Sequence, residues 1–419
     1  MRFVLTDEQR EFARSLDALL RAADTPGVLR AWAAGDHGPG RALWRRLGDA
    51  GVFALAVPEA YGGVGPLPVE TAVACVELGR YAVPGPVAET LAAGVLLAGA
   101  GGPAAKEWLP GIASGAAMVS LRLPGPGPYA LDADAADAVF TVDGDGLRRA
   151  PGPGELSVSA DPARRLFRPG PGGEPVAGGR AVEAASRAAG DWASFATAAL
   201  ALGCGEELLR ATVAYVKQRR QFGVPVGSFQ AVKHRLADTL LGLEFARPLL
   251  YGAAVELTEE LSGGRAGTGS PEPGAGAGSG TGPAEGPPGS GLGTGRGAGP
   301  LGAGSRTGSG MGSLGSGSRT GPGMGSPGSG SRTGPGMGSP GSGSRTGPGM
   351  GSLGAGAAVA AAKAAAGEAG YAAARTALQL HGAIGYTEEL DLAWWLRRAR
   401  PLRDAWGTPS ACRARVLAE

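Results

Sequence analysis

The stretch with the most evident capacity for binding chemistry is Arg219-Arg220-Gln221-Phe222-Gly223-Val224-Pro225. Two guanidinium groups, an amide and an aromatic ring fall within four residues, where Gly223 and Pro225 break a helical run and force an exposed elbow. Guanidinium groups bind phosphate oxygens as a fork, so the elbow suits a pyrophosphate and the ring suits an adenine. Arginines also suit a helix end through its dipole, and the residues alone leave both readings open. A second such place is Gln379-Leu380-His381-Gly382-Ala383-Ile384-Gly385-Tyr386. Small residues are needed wherever backbone approaches a ligand closely. His381 reads as a satisfied helix-end residue rather than a ligand.

The elements that must position these residues are mostly helical. After Ser228, the residues Phe229, Val232, Leu236, Leu240 and Leu243 recur at steps of three and four, which predicts a buried helix running to about Leu261. A long helix from about Ala181 to Gln218 precedes the elbow, and another runs from Ala357 to Leu380. Near the start, Thr6-Asp7-Glu8-Gln9 has the form of a capping box heading a helix to about Ala23. Leu43, Trp44 and Leu47 mark a second amphipathic run. Val57-Pro58-Glu59-Ala60-Tyr61-Gly62-Gly63 is a loop, with helices expected over about 69–81 and 87–97. From Ala117 the texture turns to strands: Met118–Leu121 and Ala138–Val142 are strand-like, and Asp143-Gly144-Asp145-Gly146 is a turn.

Three of these motifs, in this order, resemble the acyl-CoA dehydrogenase family: the Val57–Gly65 loop, the Arg219–Asp238 elbow with the helix after it, and the Gln379–Tyr386 turn. The resemblance implies a mainly α fold with a small β-domain. Its parts would be an N-terminal helical domain (1–115), a shortened middle β-barrel (116–180) and a C-terminal four-helix bundle (181–419). It also implies an oligomer, usually a tetramer, that binds FAD, oxidises an acyl-CoA and passes electrons to a flavoprotein acceptor. Carried over by position, Arg219, Gln221, Phe222, Phe229 and Gln230 would contact FAD pyrophosphate and adenosine across a subunit interface. Gln379, Gly382 and Ala383 would form the other part of that contact, with Ala383 replacing a family glycine.

The family's reaction needs a carboxylate to take the α-proton, because water is far too weak a base. The family's Glu-Gly-Thr falls here on Trp406-Gly407-Thr408, so Thr408 is kept and an indole, which cannot accept a proton, stands at the base position. Asp404 is a weak substitute. The alternative base position of some members falls near Ala193, and Asp191, two residues away, is expected to point elsewhere on its helix. Glu388 and Glu389 read as caps or solvent-facing charges. The β-region also lacks the family's Thr-Glu-Pro flavin loop. Two functions are therefore expected: an acyl-CoA dehydrogenase acting within a hetero-oligomer, or a non-catalytic subunit paired with a complete homologue.

Composition limits the rest. Glycine occurs 78 times in 419 residues and is concentrated in 262–356, which has no aromatic residue and cannot build a core. Arg306, Arg319, Arg332 and Arg345 recur there every thirteen residues, as do Met311, Met324, Met337 and Met350. Gly321, Gly323, Gly325 and Gly328 break the collagen rule, so a disordered repeat insertion in the bundle is expected. Its six Arg and two Glu give +4 against +2 for the chain, which leaves about −2 elsewhere and no nucleic-acid surface. Cys75, Cys204 and Cys412 show no metal-ligand spacing and suit a reducing cytoplasm. No apolar run reaches membrane-spanning length.

Overall fold

The computed structural model describes residues 5–266, 354–387 and 389–418. Nearly all of the glycine-rich repeat, and Glu388, lie outside the described residues. The capping box forms as its spacing demands: Thr6 N–H donates to Gln9 Oε1 at 2.9 Å and Gln9 N–H to Thr6 Oγ1 at 3.2 Å, heading α1 (Asp7–Arg21). Then follow α2 (Thr25–Ala33), α3 (Gly38–Asp49), α4 (Pro68–Arg80), α5 (Val87–Ala100) and α6 (Gly102–Ala113). α2 and α6 were not among the expected helices; each contains a Pro-Gly pair, Pro26-Gly27 and Pro110-Gly111, of a kind that ordinarily punctuates a loop.

Seven short strands come next: β1 (Val119–Arg122), β2 (Ala130–Leu131), β3 (Ala138–Asp143), β4 (Gly146–Arg149), β5 (Glu155–Ser157), β6 (Leu166–Arg168) and β7 (Glu174–Gly178). The expected turn closes the β3–β4 hairpin, with Gly144 at φ 60° supplying the left-handed residue. One sheet has the order β1-β3-β4-β7, with β1 and β3 parallel; the other has the order β2-β6-β5. These described strands form two open sheets rather than the barrel that the resemblance implied. With two to six residues each, they are too short for the stagger that closes a barrel.

The remaining elements are α7 (Arg180–Gln218), a hairpin of β8 (Arg220–Gln221) and β9 (Val224–Pro225), α8 (Gln230–Ala266), α9 (Ala355–His381), α10 (Ala393–Asp404) and α11 (Pro409–Ala418). The ends of α8 and α9 reach into the segment expected to be disordered, since Ser262–Ala266 and Ala355–Gly356 are helical. α4 and α7 cross backbone to backbone, and a Cβ on Gly203 would come within 1.9 Å of the Val76 carbonyl. The expected burial of α8 is only half met. Leu243, Ala246 and Leu250 are buried, but Leu240, Leu241, Phe245 (72% exposed) and Leu249 face outward. One face of α8 meets α9, where Thr239 and Thr376 hydroxyls bond at 3.1 Å, and the other has no cover from the described residues.

One buried arginine joins the three regions of chain. Arg398 on α10 donates Nε to Asp161 Oδ2 at 2.7 Å, Nη1 to the carbonyls of Ala82 and Val83 at 2.5 and 2.8 Å, and Nη2 to Ala163 at 3.3 Å. Both members of the ion pair are nearly inaccessible to water. A charge left unpaired there is costly, so Arg398→Met should lower unfolding free energy by about 3–5 kcal/mol in urea titration. The Arg398→Met/Asp161→Asn double variant should recover part of that loss; a loss below about 1 kcal/mol for Arg398→Met would contradict the assignment.

Asp132, directly after β2, is fully buried, and burial pushes its carboxyl from 3.8 up to about 7. Because the folded chain holds this proton more tightly than the unfolded chain, the group's contribution is full at acid pH and is lost as pH rises through about 7. Asp132→Asn keeps an acceptor for the Arg165 amide, which lies 2.9 Å from Oδ1. Stability measured on both proteins should therefore shift in favour of the Asn variant between about pH 5 and about pH 8, and a pH-independent difference would contradict this.

Candidate functional site

Trp406, where the resemblance would put the base, is held by three elements. The turn is strained: Trp406 sits at φ 56° and Gly407 at φ 132°. Ser194 on α7 donates its hydroxyl to the Trp406 carbonyl at 2.5 Å. Lys363 on α9, fully buried, donates to the carbonyls of Leu402, Arg403 and Gly407 at 3.1, 2.7 and 3.0 Å. It thereby fills carbonyls that the end of α10 leaves open. Burial pushes the Lys363 ammonium down to about 8. The indole N–H donates at 2.8 Å to Oε1 of Glu89, a buried carboxylate on α5.

Glu89, Ser194 and Lys363 were not among the expected site residues. A trace of each was present: Glu89 is the one acid within the apolar run Val87–Ala98, and Lys363 the one charge in the alanine-rich run Ala357–Ala366. Such isolated charges in apolar helices need a buried partner. Two other carboxylates of the groove beside Trp406 are engaged. Asp404 accepts from Arg403 Nε at 2.8 Å, and Asp191 from Arg415 Nη2 at 3.1 Å. Contrary to expectation, Asp191 lines the same groove as Asp404, Trp406 and Thr408. It precedes Ser194 by three positions and so shares its helix face, whereas Ala193 is buried in the core. Thr408 caps α11, its hydroxyl accepting from the Ala411 amide at 3.3 Å. Glu389 is exposed.

The elbow and the Gln379–Tyr386 turn do come together. Arg219 donates to the Tyr215 hydroxyl, and the Tyr215 ring stacks on His381 with centroids 4.1 Å apart. His381 is buried, its Nδ1 lies 2.8 Å from the Ala377 carbonyl, and burial pushes its pKa down. This pair fixes the elbow against the end of α9, beside Gly382 at φ 65°. Gln221, Phe222, Phe229, Gln230, Gln379 and Ala383 are all exposed, Phe222 by 93%. They are not brought to Trp406. Ser194 and Tyr215 stand twenty-one residues apart on one helix, about 30 Å at 1.5 Å per residue.

The elbow's donors fit a nucleotide's pyrophosphate, and its exposed rings fit an adenine. The loop after β1 fits a flavin ring poorly. Leu123-Pro124-Gly125-Pro126-Gly127-Pro128-Tyr129 carries three prolines, which have no N–H, and no Ser or Thr hydroxyl. That loop and Trp406 share a cavity wall. The two halves of one flavin nucleotide would thus be served from different places, only one of which this chain equips well.

The chain matches two family models, described as the N-terminal domain of acyl-CoA dehydrogenase (residues 6–116) and its C-terminal domain (residues 185–267 and 346–418). It is 36% identical over 250 residues to the acyl-CoA dehydrogenase IpdE2 of Mycobacterium tuberculosis, covering 59% of this chain and 76% of that relative. To the acyl-CoA dehydrogenase FadE27 of the same organism it is 29% identical, covering 62% and 78%. Its fold is similar to that of the ChsE4–ChsE5 complex from Mycobacterium tuberculosis (TM-score 0.66, 21% identity, covering 100% of this chain and 99% of that one). It is also similar to butyryl-CoA dehydrogenase from Megasphaera elsdenii (TM-score 0.64, 20% identity, covering 100% and 99%). The chain belongs to the acyl-CoA dehydrogenase family.

Lys363→Met would leave three carbonyls without their donor, each worth about 1–3 kcal/mol if it stays buried. Hydrogen exchange should then quicken first in residues 403–408, with an accompanying fall in melting temperature. Uniform quickening across the chain would mean that Lys363 does not hold the turn in particular.

Proposed function

We propose that this chain acts within an FAD-dependent acyl-CoA dehydrogenase assembly, pairing with a complete homologue that supplies the proton-abstracting carboxylate. The observation that carries this reading is Trp406: its indole is bound to Glu89 at 2.8 Å, and Asp404 and Asp191 are both tied to arginines. Neither aspartate stands ready as the base that the family's α-proton removal needs, and Glu89 has one oxygen committed to the indole. In this reading the chain's contribution is Arg219, Gln221, Phe222, Phe229 and Gln230 on the elbow, with Gln379, Gly382 and Ala383 beside them, closing over a nucleotide held by a neighbour. FAD, when bound, supplies the acceptor for the hydride leaving the β-carbon of the acyl-CoA, and a flavoprotein acceptor then takes the electrons.

Two further observations support an assembly. The elbow lies about 30 Å along α7 from the Trp406 turn, beyond reach of that turn's own cavity. The outward apolar residues Leu241, Phe245 and Leu249 also need cover that the described residues do not give. A hetero-tetramer satisfies both. The alternative, in which this chain removes the proton itself, would have to use the open oxygen of Glu89 or free Asp404 or Asp191 from its arginine.

The test is flavin content per subunit, for the chain alone and co-expressed with a homologue that carries Glu-Gly-Thr. The chain alone should be colourless. The complex should carry less than one FAD per subunit and bleach with acyl-CoA. Arg219→Ala in this chain should weaken the complex's FAD binding about tenfold, as expected for a lost charge-assisted hydrogen bond. A yellow chain that bleaches alone would overturn the supporting role, and unchanged FAD affinity in the variant would overturn the elbow's part.

A further inference from the structure

A small cavity of about 200 Å³ lies between the Trp406 turn and the loop after β1. Its lining includes Glu89, Arg164, Ser159, Leu131 and Trp406. Two features set it apart from an apolar acyl pocket. Glu89 is buried on an otherwise apolar helix and spends Oε1 on the Trp406 indole, while Oε2 makes no hydrogen bond among the described residues. The half-buried Arg164 guanidinium makes no hydrogen bond or ion pair among the described residues, and it stands too far from Glu89 to pair with it. An acid and a base thus face one cavity unjoined. An alkyl occupant would leave both charges desolvated without partners, at a cost of several kcal/mol. An occupant with an acceptor at one end and a donor at the other would satisfy both.

We propose that this cavity is a binding site for a compact hydroxy-carboxylate group, with the carboxylate on Arg164 and the hydroxyl donating to Glu89. At ~30 Å³ per water-sized group the volume admits about seven non-hydrogen atoms, the size of a four-carbon hydroxy acid rather than a long chain. Arg164 offers a carboxylate the fork that its planar guanidinium presents. The site takes either a free hydroxy acid or the end of an acyl thioester carrying the same groups. The second source rests on the acyl-CoA reading above; the first does not.

Calorimetry on the full chain separates these sources. The small probes are 3-hydroxybutyrate, butyrate and 2-butanol; the thioester probes are 3-hydroxy-3-methylglutaryl-CoA and hexanoyl-CoA. 3-Hydroxybutyrate should bind about tenfold or more tighter than 2-butanol, Arg164→Met should abolish that preference, and Arg164→Lys should restore part of it. Glu89→Leu should erase the preference for 3-hydroxybutyrate over butyrate, with circular dichroism confirming that each variant is folded. Tighter binding of 3-hydroxy-3-methylglutaryl-CoA than of either 3-hydroxybutyrate or hexanoyl-CoA assigns the acyl end as the source, and binding of the free acid alone assigns a small-molecule site. Equal binding of 2-butanol and 3-hydroxybutyrate, or an Arg164→Met variant that binds as the natural chain does, overturns the proposal. The measurement needs neither flavin nor partner subunit, so it can succeed or fail independently of the proposed function.

Discussion

The buried pair of Arg398 and Asp161 is the constraint on which the arrangement of this protein rests. Arg398 is carried by α10, Asp161 by the loop before β6, and the carbonyls of Ala82 and Val83 by the connection between α4 and α5. Three stretches far apart in sequence are therefore fixed by one guanidinium, which uses its directional donors where apolar packing would tolerate sliding. α10 leads directly into the Trp406 turn, and α5 carries Glu89. The geometry of the Trp406–Glu89 contact thus inherits its precision from a charge pair several residues away. Lys363 does the same work for the other side of the turn, by donating to the open carbonyls at the end of α10.

α7 is the second organising element. Its middle, residues 196–205, is lined with alanine and glycine, which lets α4 and α9 come close, and it runs unbroken for 39 residues. A rod of that length holds its two ends apart rather than together. One end presents Ser194 to the Trp406 turn, and the other presents Tyr215 to His381 and Arg219. The groups proposed to hold a nucleotide and the turn at the base position are consequently separated within a chain, which is why one chain reads as half of two sites.

Much of this was legible in the residues. The capping box at Thr6, the long helices, the elbow and the β3–β4 turn follow from short-range rules, and the structure has them within a few residues of the expected limits. What was not legible depends on distant partners. The burial of α8 was misjudged because periodicity marks apolar faces without saying whether this chain or another covers them. Asp191 shares a face with Ser194, which meets Trp406, whereas the motif spacing points to Ala193, a core residue on another face. Glu89 and Arg164 could not be found from local pattern, since their significance lies in a cavity assembled by α5, α10 and the β-region. The isolated acid in an apolar helix was the available signal.

The bond between Trp406 and Glu89 also bears on how such a chain could change over time. A glutamate placed at 406 would put a second carboxylate against Glu89, and two acids at hydrogen-bonding distance cannot both ionise without raising the proton affinity of one. The single replacement would therefore produce a coupled acid pair that holds a proton, rather than a free base. Gaining the base would require a second change at position 89, made on a different helix and without benefit by itself. The indole and its carboxylate act as a ratchet: together they make the present state of this turn easy to keep and hard to leave.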